Sequence, residues 1–156
     1  MYALIDACFE NNTKLALKLI ENKANLDLQN NHGYTALIWL CINNNDTEIV
    51  LKLIENKANL DLQNNYGRTA LMCSCRYNNT ELALKLIENK ANIDIQDKYG
   101  DTALMWSCYN NNTELALKLI ENKANLDIQD MDGWTSLRWS CQKNNTEIIS
   151  YLLEMY

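Results

Sequence analysis

Thr80–Asn92 reads TELALKLIENKAN, and Thr113–Asn125 repeats it letter for letter. Looser copies open at Thr13 and Thr47, and a shorter one opens at Thr146. Outward from each copy the register persists. Gly33, Gly67, Gly100 and Gly133 fall 34, 33 and 33 residues apart, each two positions before Thr35, Thr69, Thr102 or Thr135. A period of this length is the signature of a solenoid, in which each unit buries its apolar face only against its neighbours. That reading makes the chain a binding scaffold before any single residue is weighed.

At 156 residues the length would suit one compact domain, but the repeat turns it into a short array. The expected organisation is a single repeat domain over residues 1–156, with units at 1–29, 30–63, 64–96, 97–129 and 130–156. The first and last units are partial. Ala3-Leu4 aligns with Ala36-Leu37, so the first unit lacks its leading loop, and the last stops inside its second helix at Tyr156. A formal charge of −6, with acids and bases spread through every unit, opposes a phosphate-tracking surface, so no nucleic acid partner is expected. No apolar run reaches the roughly 18 to 20 residues that span a bilayer, and MYALIDACFE has no basic region ahead of a long apolar core. The expectation is no membrane partner and a cytoplasmic, reducing location.

Cysteine usage agrees with that compartment. Cys8, Cys41, Cys75, Cys108 and Cys141 share one column of the repeat, which puts them about 8 to 10 Å apart along stacked helices. Disulfides tolerate at most about 7 Å between Cα atoms, so the column reads as buried small hydrophobes, with Cys73 pointing elsewhere on the same helix.

Within one unit, Thr69 can cap a helix whose Leu71, Met72 and Cys75 fall at helical spacing. Asn78-Asn79 then supplies a tight turn, since Asn tolerates the left-handed conformation and also caps helices. The second helix buries Leu82, Ala83, Leu86 and Ile87 and keeps Glu81, Lys85 and Glu88 wet, ending near Asn89-Lys90. Asn92–Gln96 alternates and reads as extended, and Asp97-Lys98-Tyr99-Gly100 places Asp first and Gly fourth, as a type I turn prefers. The predicted fold is all-α, a solenoid of stacked helix-turn-helix units joined by projecting β-turn loops.

These residues carry a resemblance. The G-x-T-x-L core, the TEL or TEI start of the second helix and the A-N-[L/I]-D tail before the next turn resemble ankyrin repeats over essentially the whole chain. Departures from the family pattern are specific. Its Pro after the Thr is Ala36, Ala70, Ala103 or Ser136 here, and its His after the Leu is Ile38, Met72, Met105 or Arg138. Ala forms helix well, so the first helix should survive. The Gly that usually closes the second helix is Lys23, Lys57, Lys90 or Lys123, where a left-handed backbone costs about 1 kcal/mol or more. An extra Asn within Asn43–Asn45 accounts for the single 34-residue spacing and predicts a longer turn there.

Catalytic resources are sparse. His32 is the only histidine and lies at a turn tip, and no CxxC, HExxH, P-loop or GxGxxG is present. Asp130-Met131-Asp132-Gly133 looks like part of a calcium loop, but Ile128 stands where the preceding acid is needed. Five Asn-x-Thr acceptor patterns, at Asn11, Asn45, Asn78, Asn111 and Asn144, all fall at the interhelical turn, where cap chemistry explains them. The chain is therefore expected to be no enzyme and to need no cofactor or metal.

Variation is concentrated in two places, the turn tips and the ends of the first helices. Of the thirteen aromatic residues, seven lie there: Phe9, Tyr34, Tyr66, Tyr77, Tyr99, Tyr109 and Trp134. The ankyrin resemblance implies that these columns line a concave face that grips other proteins. Tyr, Trp and Arg most often carry binding energy, so Tyr34, Tyr66, Arg68, Tyr77, Tyr99, Asp101, Tyr109 and Trp134 are the candidate protein-binding residues. Trp39, Trp106 and Trp139 share an adjoining column and read as core edge between units. The leading expectation is a monomeric, non-catalytic interaction module whose partner is another protein. The alternatives are a self-assembling array and, given 24 Asn and no Pro in 156 residues, a viral or symbiont effector that occludes a host protein, delivered into or expressed in a host cell.

Overall fold

The protein is described here by a computed structural model covering residues 2–43 and 46–155. Its described residues form ten helices in five antiparallel pairs and no strand. The first helices of the pairs are α1 (Ala3–Phe9), α3 (Ala36–Asn43), α5 (Ala70–Arg76), α7 (Ala103–Tyr109) and α9 (Ser136–Gln142). The second helices are α2 (Thr13–Glu21), α4 (Thr47–Glu55), α6 (Thr80–Glu88), α8 (Thr113–Glu121) and α10 (Thr146–Met155). Helices of about two turns do not persist alone in water, so capping and stacking must hold them.

The capping is local and repeats. Thr69 Oγ1 accepts from the Met72 N–H at 3.3 Å, and Thr35 and Thr102 do the same for Ile38 and Met105. At the far end of α5, the Asn78 N–H donates to the Cys75 carbonyl and the Asn79 N–H to the Ser74 carbonyl. That pair of bonds is a Schellman motif, and Asn78 sits at φ +58° to close it. Asn79 then turns its Oδ1 to the Leu82 N–H and starts α6. One Asn pair thus ends a helix and begins the next, which explains the Asn-x-Thr pattern without glycan. The longer turn predicted within Asn43–Asn45 involves Asn44 and Asn45, which lie outside the described residues.

The second helices end the same way. Lys23, Lys57, Lys90 and Lys123 occupy left-handed backbone at φ between +59° and +67°. Two carbonyls are satisfied in return: in α6 the Lys90 N–H reaches the Ile87 carbonyl and the Ala91 N–H reaches the Leu86 carbonyl. Ala58, Ala91 and Ala124, which follow three of these lysines, are buried and supply the apolar contact of the motif.

The segment after each second helix differs from the sequence reading. Asn92–Gln96 is not extended; it bends in a turn at 93–94, where Asn92 Oδ1 accepts the Asp94 N–H. The cause is the short polar side chain, which offers the backbone a local partner in place of a strand ladder. The projecting turn matches the expectation, with the Gly100 N–H on the Asp97 carbonyl at 3.0 Å. Gly67, which ends the corresponding turn of the preceding unit, has φ +76°, and a Cβ on it would stand 2.8 Å from the Lys98 amide nitrogen. Glycine is required because successive loops touch: the Lys98 N–H donates to the Tyr66 carbonyl, and Met131 repeats the bond to Tyr99.

The core runs the length of the stack. Ala70, Leu71, Met72, Cys73, Ser74 and Cys75 of α5 are all buried, sandwiched between α3, α6 and α7, while α6 buries Leu82, Ala83, Leu86 and Ile87. Column cysteines lie against serines of the following unit, Cys41 with Ser74, Cys75 with Ser107 and Cys108 with Ser140. Cys141 departs from the buried-column expectation and is exposed, because among the described residues no further helix pair packs over α9 on that side. First helices pack more closely on one another than second helices do.

Candidate functional site

The first-helix side of the stack is built by three columns of each unit: the turn tip, the residue after the turn glycine, and the outward face of the first helix. The loop bonds described above fix the tips, and the caps fix the helix starts. Trp39, Trp106 and Trp139 lie partly buried along this face and pack against the core. Tyr109 makes edge contacts with both Trp106 and Trp139, at ring separations of 5.8 and 5.4 Å, and Trp134 leans on Trp139 at 4.7 Å. Toward the N-terminus, Tyr34 and Phe9 flank Trp39 at 6.1 and 5.0 Å. The tryptophan column is broken by Cys73 and, in the first unit, by Asp6.

All three arginines of the chain stand on this face, each over an aromatic ring. Arg68 lies 5.3 Å from the Tyr66 ring centre, 5.8 Å from Tyr99 and 5.3 Å from Trp106. Arg76 sits 4.3 Å over Trp106, and Arg138 sits 4.2 Å over Trp134. Lys143 adds an ammonium 3.9 Å over Tyr109. Such cation–π contacts contribute about 0.5 to 2 kcal/mol each and hold long side chains in place.

Carboxylates order the loops. Asp97, whose side chain is fully buried, accepts from the Tyr99 and Asp101 backbone through Oδ1 and from Arg68 Nε through Oδ2 at 3.0 Å. Asp130 repeats the loop bonds, but its Oδ2 accepts from the Trp139 indole at 3.0 Å. With Asp97 Oδ2 taken by Arg68, the corresponding indole N–H of Trp106 is buried with no acceptor. Burial, helped by the charges of Asp97 and Asp130, pushes the Asp101 carboxyl up to about 6, with Arg68 and Arg76 opposing.

The eight sequence-chosen residues fall into two neighbouring recesses, with one outlier. A recess of about 350 Å³ is lined by Tyr34, Tyr66, Arg68, Tyr77 and Tyr99 together with Ile42, Asn64, Cys73 and Arg76. A second, about 330 Å³, gathers Tyr77, Asp101 and Tyr109 with Arg76, Trp106 and Trp139. Trp134 lines neither and acts through its contact with Trp139. Sequence reasoning left out Arg76, Trp106, Trp139 and Cys73. Their signal was available, since Arg76 adjoins Tyr77 in the variable first-helix column and Cys73 stands between Trp39 and Trp106 in the tryptophan column.

Burial pushes the Cys73 thiol well above its ordinary value, and His32 is exposed at a turn tip beside Tyr34. Among the described residues no three metal-ligating side chains are grouped, and no helix is long and apolar enough to cross a membrane. What the face offers is aromatic surface, held guanidinium groups and two recesses, the equipment of recognition.

Comparison with protein families decides the affiliation. The family model for ankyrin repeats (three copies) matches residues 4–97 and 80–156. The chain is an ankyrin-repeat protein. A comparison with curated proteins gave no match. Ankyrin repeats are generally protein–protein interaction modules and are typically non-catalytic. In this ankyrin-repeat protein the turn tips and first helices carry the three arginines and most of the aromatic residues, whereas the second helices present Lys–Glu pairs such as Lys85–Glu88 to solvent.

Proposed function

We propose that this ankyrin-repeat protein binds another protein through its concave face, as a monomeric, non-catalytic scaffold of the cytoplasm. The observation that supports it is the segregation of side chains: every arginine and nine of the partly or fully exposed aromatic rings on this face make cation–π or ring contacts, spaced along α3, α5, α7, α9 and their loops. Solvated surface gains nothing from such an arrangement. Interface centres are enriched in these residue types, where a few carry most of the binding energy.

Tyr66, Tyr77, Tyr99 and Tyr109 are exposed while Arg68, Asp101, Tyr34 and Trp134 are partly buried, so the tyrosines would be the anchors and the others their supports. The test is capture of partners by wild type against a Tyr99→Ala, Tyr109→Ala, Trp134→Ala variant that melts alike. Loss of a captured protein by the variant is the expected result. Equal retention of every captured protein would place the site elsewhere.

A further inference from the structure

The recess over Cys73 differs from the rest of the face in charge as well as shape. In the second, fourth and fifth units this column holds Trp39, Trp106 or Trp139; in the third it holds Cys73, which lines a recess of about 350 Å³. Tyr66, Tyr77 and Tyr99 wall it, and Arg68 and Arg76 are the charged residues that line it. No carboxylate does. Arg68 is neutralised by Asp97 at 3.0 Å, whereas Arg76 forms no ion pair among the described residues. The neighbouring recess on the α9 side is the one that holds Asp101.

Donors therefore outnumber acceptors around this opening. Arg76 offers a guanidinium 4.3 Å over the Trp106 ring, and Tyr66, Tyr77 and Tyr99, each with a hydroxyl that can donate, line the opening. We infer that the recess receives one side-chain carboxylate, from a Glu or Asp of the protein partner, with Arg76 as its counter-charge. The inference rests on the concave-face reading above and specifies the partner's chemistry there. Arg76 forms no ion pair among the described residues, although Asp101 lies within its field, and one such guanidinium matches a monoanion rather than the near-dianionic phosphate of a modified residue. Arg68 serves the site differently: clamped between Tyr66 and Tyr99 and tied to Asp97, it shapes the wall.

Selection of a random peptide display library on the folded protein tests this, run in parallel on wild type, Arg76→Lys, Arg76→Gln and Arg76→Glu. Wild type and Arg76→Lys should enrich peptides with Glu or Asp at one fixed position, and Arg76→Gln should bind those peptides about tenfold or more weakly, as loss of a charge-assisted bond implies. Arg76→Glu should move the preference at that position to Lys or Arg; if that variant does not fold, the Lys and Gln pair decides alone. Peptides that depend on Tyr109 but carry no fixed acid would remove this inference and leave concave-face binding intact. Acidic peptides that bind Arg76→Gln undiminished, or phosphotyrosine peptides that bind more tightly than their Glu counterparts, would also overturn it. If no enriched peptide depended on Tyr99, Tyr109 or Trp134, both readings would fall.

Discussion

Arg68 Nε donates to Asp97 Oδ2 at 3.0 Å, joining the loop of one ankyrin unit to the loop of the next through a carboxylate that is fully buried. The other oxygen of Asp97 holds its own turn by accepting from Tyr99 and Asp101. Two functions share one side chain and can be separated. Asp97→Asn should keep the turn bonds, as Asn30 and Asn64 do in their units, and lose only the ion pair. Asp97→Ala should lose both and destabilise by about 3 kcal/mol or more, since it leaves a guanidinium that is only 13% exposed without a partner. Urea melts of the two variants check the order; equal losses would show that the turn bonds contribute nothing beyond the ion pair.

Stability should follow the stack. Leu104 and Leu86 are at most 1% exposed, and replacing either with Ala should cost about 2 to 5 kcal/mol through lost burial and a residual cavity. Because neighbouring units share one continuous core, the loss should shift the whole unfolding transition. An unchanged midpoint would contradict the core assignment.

Glycine should improve the second-helix ends. Lys57, Lys90 and Lys123 sit at φ +66°, +66° and +67°, a conformation glycine adopts freely, while their N–H groups keep the helix-closing bonds whatever the side chain. Each Lys→Gly change should stabilise by about 0.5 to 1 kcal/mol, the relief of strain exceeding the entropy glycine adds to the unfolded chain. Thermal melts of the triple variant measure the sum. A lower midpoint would mean that the lysine stems contribute packing that offsets the strain.

Asp101 makes stability depend on pH with a defined sign. Its carboxyl is raised from 3.8 to about 6 by burial first and then by Asp97 and Asp130, against Arg68 and Arg76. The native state therefore holds this proton more tightly than the unfolded state, so the contribution is favourable below about pH 4 and is lost as pH rises through about 6. Asp101→Asn should flatten that part of the profile and gain about 1 kcal/mol at pH 7, solvent screening of a half-buried group keeping the value small. Parallel slopes for wild type and variant between pH 4 and 7 would contradict the placement of Asp101.

The architecture was legible because each element announces itself within a few residues. Thr69, the Asn78-Asn79 pair and Asp97–Gly100 carry cap and turn chemistry in their own side chains, and the ankyrin resemblance followed from their register. Contacts between units were not legible. Arg68 meets Asp97 29 residues away, and Asn112 spans to Asn78 and Thr80 of the preceding unit, distances along the chain at which only the stacking geometry selects partners. The extended reading of Asn92–Gln96 failed because alternation describes a strand only where no side chain offers the backbone a nearer bond, and Asn92 offers one to Asp94. Cys141 failed for a different reason, since burial in a repeat column depends on the unit that follows.

Site-specific photocrosslinking tests the central claim most directly. A benzophenone amino acid would replace Tyr109 on the concave face in one variant and Glu114, exposed on α8, in another, both used in the cells that make the protein. Concave-face binding predicts a discrete adduct with one partner from position 109 and none from position 114. The same adduct from position 114 alone would contradict it and move recognition to the second helices.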